Sequence, residues 1–291
     1  MTVTNKLGVH ALVFVGSTSD AEVDHAIEHT KAAGFDLLEF SLHDAHTLDV
    51  PRTKAALDAA GLDVVTSRGL AFDADISSED PATVARGEEL LRSSLEVTAG
   101  LGGRLMTGAL YSAFGNFGHA LTTRGRQNVV AVLKNLATEA ADKGVSLGLE
   151  VCNRYETNVV NTAAQALVLA DDIGEDNVVI HLDSYHMNIE EDDYTRPVHL
   201  VGDRLGYVHI GENHRGYLGS GHLDFTSLLH ALADIDYQGA LTFESFSSAV
   251  VSETLSNDLS IWRNLWDDGP ALARHAHAWL DTALQGVRPR A

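Results

Sequence analysis

Thiols are almost missing from this chain. Cys152 is the one cysteine among 291 residues, so no intrachain disulfide can form and a reducing, cytoplasmic setting is expected. Basic residues are scarce as well: 20 Lys and Arg stand against 41 Asp and Glu, a formal net charge of -21. Such a surface repels phosphate backbones, so nucleic acid is not an expected partner. No apolar run approaches the roughly 18 residues of a membrane span. The first residues, Met1 to Lys6, lead into a short apolar run broken by His10 and Gly16. They lack the apolar core and cleavage site of a signal peptide. No linker, low-complexity stretch or shift in composition divides the chain, so residues 1–291 are read as one domain. The glycines at 216, 219 and 221 match neither a dinucleotide nor a P-loop fingerprint.

What is present is alternation. Apolar runs of strand length fall at 10–16, 36–40, 62–67, 104–110, 146–151, 177–183, 206–210 and 240–244. Helical stretches follow at 20–33, 52–60, 77–99, 123–143, 161–172, 197–201 and 225–233, and the tail 255–284 reads as helix with Trp262, Leu265 and Trp266 at helical spacing. The tail is expected to pack on the rest of the fold, and its Trp262–Trp266 pair reads as core or dimer contact. Strands that alternate with helices are parallel, joined by crossover helices. Eight such units in a chain of this length fit a closed (β/α)8 barrel, a TIM barrel, better than an open sheet.

Chemistry gathers where strands end. Val178 to Leu182 is a buried run that ends at Asp183, and His186 follows three residues later at the start of the next loop. Alone, Asp183 reads equally well as the cap of the next helix. The pattern recurs, however. Glu150, Asp183, His209 and Glu244 each stand at a strand end, each separated from the next by about one βα unit. In a barrel the four side chains converge at the C-terminal mouth. Three buried carboxylates at one point repel one another, and a divalent cation removes that repulsion. Three oxygen donors and one imidazole, without thiolates, suit octahedral Mn2+, with Co2+ or Mg2+ as alternatives, and not a structural zinc. Cys152 shares the face of Glu150 and reads as packing in the wall. Above the mouth, Glu156, His186 and Arg215 add the donors and acceptors a polyol would need. His214 and His222 are expected to face water.

At these residues the chain resembles a known family. Glu150–Asn158, His181–Glu191, Tyr207–Gly221 and Phe243–Ser247 are similar to the ketose 3-epimerases (D-tagatose, D-psicose or allulose, and L-ribulose 3-epimerases) of the xylose isomerase-like barrel superfamily. The likeness covers nearly the whole chain. It implies that Glu150, Asp183, His209 and Glu244 hold Mn2+ and that Glu150 and Glu244 are the acid/base pair. The metal would take O2 and O3 of a ketose, with Glu156, His186 and Arg215 at the O1 end. Phe246, with residues near Ser67, Gly108 and Ala113, would line the rest of the pocket. The loops at 68–72 and 113–115 depart from the family pattern and face the distal end of the sugar. A homodimer or homotetramer is expected.

The chemistry also stands without the likeness. A proton next to a ketone is weakly acidic, and a cation at the carbonyl stabilises the enediolate left by its loss. Carboxyl groups on opposite faces can remove one proton and return another, which inverts the centre. Rival readings on the same barrel are an aldose–ketose isomerase, a hydroxypyruvate isomerase-like or inosose dehydratase-like enzyme, a metal-dependent endonuclease, and a non-catalytic sugar-binding barrel.

Overall fold

In the computed structural model, which describes residues 5–43, 48–251 and 253–287, eight parallel strands close on themselves in chain order. They are β1 (Leu7–His10), β2 (Leu37–Ser41), β3 (Asp63–Ser67), β4 (Leu105–Thr107), β5 (Ser146–Glu150), β6 (Val178–Asp183), β7 (Leu205–Ile210) and β8 (Leu241–Phe243). β8 pairs back onto β1. Crossovers are made by α1 (Asp20–Ala33), α2 (Val50–Ala60), α3 (Pro81–Leu101), α4 (Thr123–Asp142), α5 (Ala163–Ile173), the short α6 (Ser184–Glu190) and α7 (Thr195–Val201), and α8 (Phe225–Asp234). After β8 come α9 (Glu253–Asp258) and α10 (Gly269–Gly286), and α10 packs on α1, α8 and the β1–β8 seam. The fold is the (β/α)8 barrel that the alternation predicts. The first four residues, which bear on the signal-peptide reading, lie outside the described residues.

Helix boundaries follow local chemistry. α5 opens with a capping box: the Thr162 side chain accepts from Gln165 N, and the Gln165 side chain accepts from the Thr162 backbone. α3 opens with Asp80 accepting from Ala82 N and Thr83 N, and Pro81 in the first turn. Among the described residues no helix is long and apolar enough to cross a membrane.

Three sequence expectations are corrected. The first strand lies before the apolar run, not within it. Ala11–Val13 forms a 3-10 turn capped by His10, whose Nδ1 accepts from Leu12 N, and the run is apolar because it is buried beside α10. β4 stops at Thr107 instead of Leu110, because Gly108 turns the chain with φ +111°. The tail is two helices, not one. Asp268 accepts from Ala271 N with Pro270 in the first turn, so α10 starts afresh there, and Trp262, Leu265 and Trp266 lie in the connecting loop.

The barrel interior is layered. Leu37, Val65 and Tyr207 pack together at its base. Above them the filling is polar and hydrogen-bonded: Thr107 Oγ1 meets His181 Nδ1 at 2.9 Å, and Tyr207 OH meets Thr242 Oγ1 at 2.6 Å. Gly148 makes room for one of these hydroxyls, since a Cβ there would stand 2.4 Å from Thr107 Oγ1.

Candidate active site

The four strand-end residues meet. His209 Nδ1 lies 3.4 Å from Glu244 Oε1, 3.8 Å from Glu150 Oε1 and 3.9 Å from Asp183 Oδ2. All four residues are buried. They converge because β5 to β8 are consecutive strands: Asp183 pairs with His209, whereas Glu150 pairs with His181 and His209 with Thr242, each two residues, and so one same-face step, short of the next member of the set. Strand alternation turns each of them into the barrel. Asp183 fulfils its reading as a cap and also joins the cluster: Oδ1 caps α6 by accepting from Tyr185 N at 2.7 Å, while Oδ2 faces His209.

The set suits a divalent ion on its own geometry. His209 Nε2 is committed to Glu39 Oε2 at 2.7 Å, so neutral imidazole would present its Nδ1 lone pair to the carboxylates. That Nδ1 is buried and has no hydrogen-bond partner among the described residues. Ligand atoms of Asp183, His209 and Glu244 all lie within 4.8 Å of one another. Hard oxygens with one imidazole match an octahedral cation. Cys152 is buried and can be grouped with Glu150 and His186, but burial pushes its thiol well up, away from the thiolate that binds metal.

The electrostatics separate the two glutamates. Burial raises the carboxyl of Glu150, opposed by His186 and His209. Burial acts on Glu244 in the same sense, but Arg215 and His209 outweigh it and hold that carboxyl well below its ordinary range. Two neighbouring carboxyls pushed in opposite directions are the arrangement an acid–base pair requires.

The residues around this cluster divide into two kinds. His186 is buried, and its Nδ1 accepts from Asn153 N at 3.2 Å, so Nε2 points at Glu150, Glu156 and Asp183 from 3.6 to 3.7 Å. Burial alone would lower its pKa, yet Glu156, Asp183 and Glu150 lift it to about 9. His186 lies in the first turns of α6, not in a loop, because Asp183 caps a helix there. Glu156 is held by Asn153 Nδ2 at 2.9 Å. Arg215 reaches the carboxylates themselves, donating to Glu244 Oε2 at 2.5 Å and Asp183 Oδ2 at 3.1 Å. Its guanidinium lies 4.0 Å above the Tyr185 ring and 5.0 Å from the Phe246 ring. Its backbone is left-handed, φ +59°, a strained conformation that gathers at functional sites.

The cluster opens into a cavity of about 600 Å³. Ser67, Gly108 and Phe246 line it as expected; Ala113 is fully buried behind it, and Phe114 takes its place. His214 lines the wall, whereas His222 is exposed. The two tryptophans separate. Trp266 is buried and donates to Ser245 Oγ at 2.8 Å, while Trp262 is 70% exposed at the cavity rim. The glycine-rich loop encloses the protein's own Glu212, whose carboxylate accepts from Gly219 N at 2.8 Å and Asn213 N at 3.3 Å.

Sequence reasoning passed over Glu39, His10 and His181. All three are buried inside the barrel: Glu39 binds His209 and Tyr207, His10 lies 3.4 Å from Glu39 Oε1, and His181 packs edge-on to His209 at 4.2 Å. The available signal was an acid in the middle of an apolar strand, which is costly to bury without a partner.

The family model of the xylose isomerase-like TIM barrel matches residues 27–283. An L-ribulose 3-epimerase of Methylomonas sp. (strain DH-1) is 48% identical over 92% of this chain and 94% of its own. A ketose 3-epimerase of Arthrobacter globiformis is 45% identical, covering 97% and 98%. The crystal structure of a D-allulose 3-epimerase from Methylomonas sp. in complex with D-allulose superposes with a TM-score of 0.94 at 46% identity, over 96% of this chain and 97% of that one. Barrel, cavity and likeness agree, and the chain belongs to the xylose isomerase-like TIM barrel family, among its ketose 3-epimerases.

Proposed function

We propose that this protein inverts C3 of free ketoses in a reaction that depends on a divalent ion, Mn2+ by preference over Co2+ or Mg2+. Glu150, Asp183, His209 and Glu244 would hold the ion. Bound there, it would act as a Lewis acid on the substrate's oxygens and offset the charge that develops when C3 loses its proton. Glu150 and Glu244 carry the protons: one takes the proton from C3, and the other, already protonated, gives a different one to the opposite face of a planar cis-enediolate. Glu156, His186 and Arg215 bind sugar hydroxyls, and Phe246 bounds the pocket.

The observation that carries this reading is His209 Nδ1, buried with no hydrogen-bond partner among the described residues and facing three carboxylates at 3.4 to 3.9 Å. The names of the relatives support a ketose substrate. The rest of the reading has simpler support. A single buried cysteine fits a reducing cytoplasm. We also keep a homodimer or homotetramer as the expected assembly, with Val168 and Leu200, exposed on the packed helices α5 and α7, as positions at which a contact could be tested. The packing of α10 against the barrel favours one domain over residues 1–291.

A panel of free ketohexoses and ketopentoses, with and without chelator, tests the proposal. D-fructose should yield D-allulose, and chelation should stop the reaction. Glucose or mannose as product would point to an aldose–ketose isomerase instead. Turnover that survives exhaustive chelation would remove the metal from the mechanism.

A further inference from the structure

Glu39 lies on β2, far in sequence from the four strand-end residues, yet it is fully buried at their base. Its Oε2 accepts from His209 Nε2 and from Tyr207 OH, both at 2.7 Å. Tyr207 OH is in turn fixed by Thr242 Oγ1 at 2.6 Å. On the other oxygen, Oε1 lies 3.4 Å from His10 Nε2, whose ring is oriented by Leu12 N binding to Nδ1. No Lys or Arg among the described residues pairs with Glu39. A carboxylate in such a place is costly unless its neighbours use it, and one of its two 2.7 Å bonds goes to the one imidazole of the strand-end set.

We propose that Glu39 is a positioning residue for the divalent ion: it holds the His209 ring so that Nδ1, not Nε2, is the free donor and faces Glu150, Asp183 and Glu244. The inference rests on the reading of those four residues as the ion's ligands. An imidazole has two nitrogens, and the one that donates its proton leaves the other as ligand. Without Glu39, His209 Nε2–H loses its acceptor, and ring rotation or the other tautomer becomes available to it. Such outer carboxylates raise metal affinity about 10–100-fold.

Mn2+ binding to the chelator-treated full chain, followed by titration calorimetry, tests this. Glu39→Gln keeps the shape and a weaker acceptor; Glu39→Leu removes the acceptor. Far-UV circular dichroism and metal-free melting establish that each variant is folded. The Mn2+ dissociation constant should rise about 10–100-fold in Glu39→Gln and further in Glu39→Leu. A merely structural role would lower the metal-free melting temperature and leave the dissociation constant at the wild-type value. Folded variants that bind Mn2+ as tightly as wild type overturn the proposal while the ligand reading stands. Wild-type protein that binds no Mn2+ sinks the ligand reading itself, and this inference with it. Should Glu39→Leu fail to fold, the near-isosteric Glu39→Gln decides alone.

Discussion

At the scale of single residues, the site is a set of opposed pressures on protons. Burial raises Glu150, while Arg215 and His209 hold Glu244 down. On the proposed acid–base roles, replacing either glutamate by glutamine would remove a proton carrier while preserving size. Glu150→Gln and Glu244→Gln should each lose at least about 100-fold in turnover, the usual scale for a positioned acid or base, with an unchanged circular dichroism spectrum. In D2O the wild-type product should carry one deuterium at C3; a product without solvent deuterium would count against proton transfer through these groups. Asp183, Glu150 and His209 were legible in the sequence because each ends an apolar strand. Glu39 was not, since its partners His209 and Tyr207 stand about 170 residues away and only barrel closure brings them across the interior. Nor could spacing reveal that Arg215 bonds to Asp183 and Glu244 instead of standing above them.

Helices and strands were legible where local chemistry decides them and less so where tertiary packing does. The caps at Asp80 and Thr162 come from motifs that a sequence displays. The 3-10 turn at Ala11–Val13 and the break between α9 and α10 do not, because an apolar run marks burial and not the backbone form that achieves it. The capping box makes a test at this scale. Thr162→Ala should destabilise the protein by about 1 kcal/mol, read by urea unfolding, with kcat unchanged because α5 starts outside the cavity. Asp80 adds a pH signature. Its hydrogen bonds with Thr83 and Ala82 depress the carboxyl below its ordinary value of 3.8, so the folded state holds the proton less tightly than the unfolded chain. The stabilisation is therefore full above that ordinary value and fades as pH falls through the depressed one. Asp80→Ala should be less stable than wild type at neutral pH and converge with it in acid. A gap that persists in acid would assign the loss to packing instead.

For the whole molecule, three carboxylates gathered at the mouth of an already acidic barrel would, with the proposed ion as their partner, make stability depend on that ion. A ligand bound only by the folded state, present at 100 times its dissociation constant, adds about 2.7 kcal/mol. Added Mn2+ should raise the melting temperature accordingly, and chelator should reverse the gain; a melting curve indifferent to both would contradict the ligand set. The glycine-rich turn after β7 bears on which sugars such a molecule can use. Its amides at Gly219 and Asn213 already grip Glu212, so any anion niche such a run of amides could form is stoppered from within. A phosphoryl group placed against this turn would find the Gly219 and Asn213 amides taken and a resident anion to repel it. Ketose 6-phosphates should therefore be turned over more slowly than their unesterified parents, and a preference for the phosphates would mean that the stopper gives way.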